Sequence, residues 1–392
     1  MTTYLPSRTY ALAEADCRLD DFVELVGRTT DLTDYPLASS VQEGVLVYDS
    51  AALRPASGAE PGTNDFHAEL ARALMDGPGI VVFKNAFPDT GVVDAATEVF
   101  QAIIAEQHAA GTAVGDHFAT AGANDRIWNA LEKLAVRNPE VFASYYSNDV
   151  IAAISTAWLG PNYQVTSQVN VVNPGGRAQS VHRDYHLGFQ TNEQAGRYPA
   201  HVHRLSPVLT LQGAVAHTDM PVETGPTQYL PHSQKYLPGY LAWRRPEFRE
   251  FFESNFVQLP LAKGDAAFFN PALFHAAGTN HTTDVRRMAN LLQISSAFGR
   301  AMETVDRQAM STALFPALLK MQANGATGAE IANVIASSAE GYSFPTNLDR
   351  DQPVDGLAPA TQAELLAAAV EQQWPEEKLE SELTAWNGRR LS

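Results

Sequence analysis

The spacing of apolar residues changes character twice along the chain. Over Asp65–Met75 and Val92–Gln107 apolar side chains return every three or four positions. In the second segment Val93, Ala96, Val99 and Ile103 share a face, so both segments are predicted helices. Between them, Ile80-Val81-Val82-Phe83 follows the breaker Asp76-Gly77-Pro78-Gly79 and predicts a short buried strand. Helical periodicity continues over Ile127–Val136 and Asp149–Leu159, whereas residues 1–60 are mixed, with turn formers gathered from Pro55 to Gly62.

Near Pro161 the pattern shortens. Strands are predicted at Gln164–Val172, Pro207–Thr218, Thr227–Leu230, Phe256–Leu261, Ala266–Phe269 and Arg287–Ser296. Turn formers separate them at Asn173-Pro174-Gly175-Gly176, Thr224-Gly225-Pro226, Pro238-Gly239 and Lys263-Gly264-Asp265. Many short strands between such turns predict a sandwich or jelly roll. Past Arg300 the helical period returns over Thr312–Asn324, Gly328–Ser338 and Thr361–Trp374, around a Pro- and Asp-rich loop near 344–359. The resulting plan is a mainly β core with helical flanks (α+β), taken as a single domain. Residues 1–160 form the first flank, 161–300 the core and 301–392 a helical extension.

Composition narrows the partners. The chain has 392 residues, 45% hydrophobic and 18% charged, an ordinary balance for a sizeable core. A net charge of −17 argues against nucleic acid and against docking on anionic membranes, both of which need clustered Lys and Arg. A small molecule is the expected partner, and nothing in the sequence speaks to oligomeric state. Cys17 is the only cysteine, which excludes an intramolecular disulfide framework and a thiolate zinc site. Met1 to Arg28 has no apolar signal-like core, and no run approaches the roughly 18 apolar residues of a membrane span, so a cytoplasmic location is expected.

Candidate chemistry starts at His182-Arg183-Asp184, after a Gly-rich turn. On an extended chain residues i and i+2 face one side, so imidazole and carboxylate could converge on an ion. The motif alone is common, and His217-Thr218-Asp219 is a second copy. What distinguishes the first is its company. His275 ends Phe268-Phe269-Asn270-Pro271-Ala272-Leu273-Phe274-His275, and Arg286 lies eleven residues later at the head of another strand. Two histidines and one carboxylate make a facial triad that leaves metal positions open, and an arginine nearby can grip a dicarboxylate in bidentate fashion. His186 and Phe189, just past the motif, are candidate substrate contacts or core residues.

The ordered set Asn170, Pro174-Gly175-Gly176, His182-x-Asp184, Gly225-Pro226-Thr227, Pro231-His232-Ser233, Gly264-Asp265, His275 and Arg286 resembles the phytanoyl-CoA dioxygenase family over roughly residues 160–298. Similarity is weaker at Asp76–Pro88. The resemblance implies a double-stranded β-helix (jelly roll, cupin-like) and an oxygenase using Fe(2+), 2-oxoglutarate and O2. It implies His182, Asp184 and His275 as metal ligands, Arg286 as partner of the 2-oxoglutarate C5 carboxylate, and Asn170 as a further cosubstrate contact. The expected reaction is hydroxylation of an unactivated C–H bond of a small molecule, with release of succinate and CO2. A retained Asp184 argues against halogenation. There are departures from the family pattern. Pro231-His232-Ser233-Gln234 stands where the family has Pro-Gly-Ser-His, Ala277 where a serine is common, and Phe189 is one place out of register for an aromatic position. Two other readings stay open: a non-catalytic jelly-roll binding protein, and a jelly-roll metalloenzyme that does not use 2-oxoglutarate.

Overall fold

The computed structural model describes residues 10–53, 64–113, 123–354 and 356–391. The stretch from Pro55 to Gly62 lies outside them. Ten strands are present among the described residues: β1 (Ser40–Gln42), β2 (Val45–Asp49), β3 (Ile80–Lys84), β4 (Asn124–Ile127), β5 (Gln164–Val172), β6 (Thr210–Ala216), β7 (Thr227–Leu230), β8 (Ala266–Phe269), β9 (Phe274–Ala277) and β10 (Arg287–Ser295). Eight form a mixed sheet in the order β1-β2-β3-β8-β6-β10-β5-β4, and β7 pairs with β9 in a second sheet. This is the jelly-roll core with helical flanks that the turn spacing predicted.

The chain divides into two compact units. The first, drawn from Met1–Pro88, Val114–Arg126 and Asn170–Leu291, contains the β7–β9 pair and most of the large sheet. Strand alternation builds its core. Val45 and Val47 of β2, Ile80 and Val82 of β3, Ala216 of β6, and Ala267 and Phe269 of β8 point to one side, where they meet Tyr229 of β7 and Leu273. The opposite residues of the central strands stack among themselves: Tyr48 on Phe83 at 5.4 Å, and Phe83 on Phe268 at 6.1 Å. Gly213 on β6 leaves the room that the Phe268 ring occupies.

The outer face of β7–β9 is apolar as well, and helices cover it. Leu230, Phe274 and Ala276 pack with Phe22 of helix Leu19–Val26 and with Phe248 and Phe252 of helix Pro246–Asn255. Phe22 is fully buried, its ring 4.9 Å from Phe274 and 5.2 Å from Phe248. Burying each such ring contributes about 1.5–3 kcal/mol. Every second residue of β7 and β9 therefore faces inward, His275 and Tyr229 among them.

The second unit, Asp89–Ala113, Ile127–Val169 and Leu292–Ser392, is mainly helical, its strand residues being Ile127, 164–169 and 292–295. Helix Thr90–Ala109 buries Val93, Ala96, Phe100, Ile103 and Ile104, so Phe100 rather than Val99 completes the predicted face. Helices Gly328–Ser338 and Gln362–Glu371 each open on a capping box, Thr327 with Glu330 and Thr361 with Glu364. No helix among the described residues is long and apolar enough to cross a membrane.

Candidate metal centre

After β5 the chain turns at Asn173–Gly176, where Gly175 takes a left-handed φ of 75°, and then runs antiparallel to β9 as an irregular arm. The arm is held by backbone bonds: Gln179 N–H to Ala277 O (2.9 Å), His182 N–H to His275 O (2.9 Å), and Asp184 N–H to Pro271 O (3.1 Å). The His275 N–H returns to His182 O at 3.2 Å, so the two histidines form a directly opposed pair. Their rings sit 4.4 Å apart. Asp184, two residues on, joins them. His182 Nε2 lies 3.8 Å and His275 Nε2 3.5 Å from its carboxylate oxygens. One ligand atom from each residue falls within 4.8 Å of the other two, and this is the sole group of three such ligating side chains among the described residues.

Both imidazoles are oriented by the same device. His182 Nδ1 is 2.9 Å from Ser180 O, and His275 Nδ1 is 2.8 Å from Leu273 O. A carbonyl only accepts, so each Nδ1 carries a proton and each Nε2 is left facing the carboxylate side. Metal-binding histidines are typically fixed in this way. Burial alone would raise the Asp184 carboxyl. The charge of His182, the hydrogen bond and charge of His275 and the Gln212 amide outweigh it and hold the acid well below the usual carboxylate range. Gln212, on β6, donates its Nε2–H to Asp184 Oδ2 at 2.5 Å. The donor set that a metal would meet is two imidazole Nε2 atoms and one carboxylate, which suits a ferrous ion.

Arg183 points the opposite way from its two neighbours, as alternation requires. It is 2% exposed, stacked between Tyr240 and Phe274 with its guanidinium carbon 5.2 and 5.1 Å from the ring centres. Its Nη2 donates to Ser233 O (2.5 Å) and Tyr236 O (3.0 Å), and burial pulls its pKa down to about 10. A Cβ on Gly239 would collide with this guanidinium, and one on Gly188 with the Arg183 carbonyl. Both glycines are thus required by close approach. Beyond Asp184 the chain reverses through Tyr185 and His186, both at positive φ (63° and 40°), a costly pair of conformations of the kind that gathers at functional sites.

The structure does not bring Arg286 to the triad. Its side chain is 55% exposed, ion-paired with Asp125 at 2.8 Å, and its Nε–H donates to Asn173. The parity of β10 explains the difference. Ala289 packs into the intersheet core, and Arg287, two residues before it, is the arginine on that face. Arg287 is 7% exposed, donates to Gly225 O, and has no carboxylate partner among the described residues. Burial lowers its pKa to about 10. Asn170 is half-buried on β5 and accepts a hydrogen bond from Asn124 at 3.3 Å. His186 is half-buried with Nδ1 3.0 Å from Ser206 Oγ, and burial pulls its pKa down. Phe189 is 49% exposed, its ring 6.3 Å from that of Tyr185. In the second His-x-Asp, Asp219 accepts the Lys263 N–H at 2.9 Å and closes a turn. Sequence reasoning missed Gln212, Arg183 and Arg287; for the last, the alternation of β10 was the available signal.

Among solved structures, the chain is similar to the non-heme alpha-ketoglutarate-dependent carbocyclase SnoK from nogalamycin biosynthesis. Identity is 22%, coverage 58% of this chain and 83% of that one, and the TM-score 0.41. It is also similar to the non-heme alpha-ketoglutarate-dependent epimerase SnoN from the same biosynthesis, at 21% identity, 58% and 79% coverage and a TM-score of 0.40. SnoN is also known in complex with Fe3+, alpha-ketoglutarate and nogalamycin RO. No curated protein matches the sequence. The family model for phytanoyl-CoA dioxygenase (PhyH) matches residues 75–288, more than half of the chain. The chain therefore belongs to the phytanoyl-CoA dioxygenase (PhyH) family of iron- and 2-oxoglutarate-dependent enzymes.

Proposed function

We propose that this enzyme hydroxylates an unactivated C–H bond of a small-molecule substrate, with His182, Asp184 and His275 as its iron ligands. The supporting observation is the convergence of two Nε2 atoms, each with its Nδ1 locked on a backbone carbonyl, on one carboxylate. When bound, iron(II) would activate O2, the oxidant, whose four electrons come from the oxidative decarboxylation of 2-oxoglutarate to succinate and CO2 and from the substrate C–H bond.

The residues of this chain do the rest. His182 and His275, each held through Nδ1 on a backbone carbonyl, aim Nε2 at the metal position, and Asp184 supplies the single compensating charge. Gln212 holds Asp184 Oδ2, the oxygen nearer His275, and so fixes the carboxylate with Oδ1 toward His182. Arg287, cationic and buried on the inner face of β10, takes the far carboxylate of 2-oxoglutarate in place of Arg286. Among the described residues its desolvated guanidinium meets the Gly225 carbonyl and no carboxylate, and a dicarboxylate would supply the missing charge. The Asn170 amide, fixed from one side by Asn124, is a second cosubstrate contact. His186 and Phe189 follow the metal arm and are placed to touch substrate.

The test separates the two His-x-Asp motifs. Asp184→Ala should abolish anaerobic iron(II) binding and substrate-stimulated succinate release, while Asp219→Ala should leave iron affinity within about twofold, as expected for a surface turn. Iron loss in the second variant alone would overturn the assignment. Hydroxylated product, identified by mass spectrometry as a gain of one oxygen, tests the reaction type.

A further inference from the structure

Two helices of the second unit border a groove of about 490 Å³, a volume in the range of small-molecule sites. Helix Gly328–Ser338 lines it with Ile331, Ala332, Ile335 and Ala336, whose spacing is that of one helical face. Helix Gln362–Glu371 lines it with Ala363, Ala367 and Val370, again one face. The alanines are too short to fill the space between the helices, and Ile331, Ile335 and Val370 are left as its larger apolar surface.

Chain direction sets the two ends of the groove. The Glu340 N–H donates to Gln362 Oε1 at 2.9 Å, and the Ala363 N–H to Glu340 O at 3.0 Å. These bonds lash the segment after the first helix to the start of the second, so the helices run in opposite directions along the groove. Asn162, Gly341 and Glu364 belong to the lashed end. Glu371, in the last turn of its helix, and Gln322, six residues before Gly328, belong to the other.

No Lys, Arg or His lines the groove, and its two carboxylates have different duties. Glu364 Oε2 accepts the Thr361 N–H at 2.8 Å and the Thr361 hydroxyl at 3.1 Å, closing the capping box. Glu371 has no ion pair among the described residues, and Lys320, two residues before Gln322, is taken by Glu140 at 2.7 Å. Beside Glu371, Gln322 Oε1 is buried without a hydrogen-bond donor. An unmet buried acceptor is costly, and an ammonium, with three N–H donors, would satisfy it and the carboxylate together.

We propose that this groove binds an alkylammonium ion, its head between Gln322 and Glu371 and its chain along Ile331, Ile335 and Val370. The site lies wholly within the second unit, shares no residue with the metal centre and does not depend on the reaction proposed above. The probe is octylamine, titrated calorimetrically at pH 7 into the full chain free of iron and 2-oxoglutarate. It should bind saturably at one site per chain, with octanoate, similar in length and opposite in charge, at least tenfold weaker. Butylamine should also be at least tenfold weaker, since each buried methylene contributes a factor of about four. Glu371→Gln and Gln322→Leu should each weaken octylamine about three- to tenfold. Ala367→Trp, at an exposed position where added bulk spares the core, should fill the groove and abolish binding with iron affinity unchanged. No saturation by octylamine at millimolar concentration, equal binding of octanoate, or undiminished binding in Ala367→Trp would rule the proposal out.

Discussion

Two adjacent arginines at the head of β10 stand in opposite surroundings. Arg286 and Arg287 are chemically identical, and only the pleat of β10 separates them, one ion-paired at the surface and one buried. Arg287→Leu should raise the 2-oxoglutarate KM roughly 10–100-fold, the cost of a lost charge-assisted pair, whereas Arg286→Ala should change it less than about twofold. Anaerobic titration of the iron–cosubstrate absorbance band gives the same comparison without turnover. A second residue-scale effect concerns acid. His232, whose burial and neighbouring Lys235 charge disfavour its cation, is protonated near 6.5 when unfolded and near 4 when folded, so the unfolded chain binds more protons between those values. Its contribution is complete above about pH 6.5 and shrinks as pH falls toward 4, by up to roughly 3 kcal/mol. Urea midpoints at pH 7 and 5 should therefore converge in His232→Gly relative to the parent chain.

Among the elements, the metal arm is set by packing on its far side. The Arg183 guanidinium spans the turn at Ser233–Tyr236 and the ring of Phe274, the residue preceding His275. Gly239→Ala forces atoms into that guanidinium and should destabilise the chain by about 1–3 kcal/mol in urea unfolding. Combining it with Arg183→Met should cost less than the sum of the two single changes, because the collision is then gone. Elements with strong local signals were legible beforehand: helix Asp149–Leu159, strand Gln164–Val172 and helix Gly328–Ser338 have the ends their patterns predict. Phe256–Leu261, predicted as a strand, is instead extended chain held by two isolated bridges, Tyr229–Val257 and Met220–Leu261. The β1–β2 hairpin escaped because its turn is Glu43-Gly44, both at positive φ, where Asn or Asp before glycine is the recognisable form. The three triad members were readable from order and spacing. Gln212 was not, since its approach to Asp184 depends on how two strands 28 residues apart pack.

For the molecule as a whole, iron and cosubstrate are thermodynamic partners of the native state. If they bind only the folded chain, each tenfold excess over Kd adds about 1.4 kcal/mol of stability. Adding iron(II) and 2-oxoglutarate anaerobically should raise Tm together more than either alone, and a chelator should reverse the gain. Thermal shift assays at fixed ionic strength check this. The attachment of Gln212 carries a less obvious consequence. His182, His275 and Asp184 hang from β9 and its neighbouring arm, but the amide that turns the carboxylate comes from β6 in the large sheet. Between the two lies Phe269, its ring 4.8 Å from His275 and 5.2 Å from Tyr229. Shaving that ring down would let the sheets relax toward each other and misalign one ligand against the other two. Ferrous affinity in this enzyme is then a caliper for the thickness of its own interior.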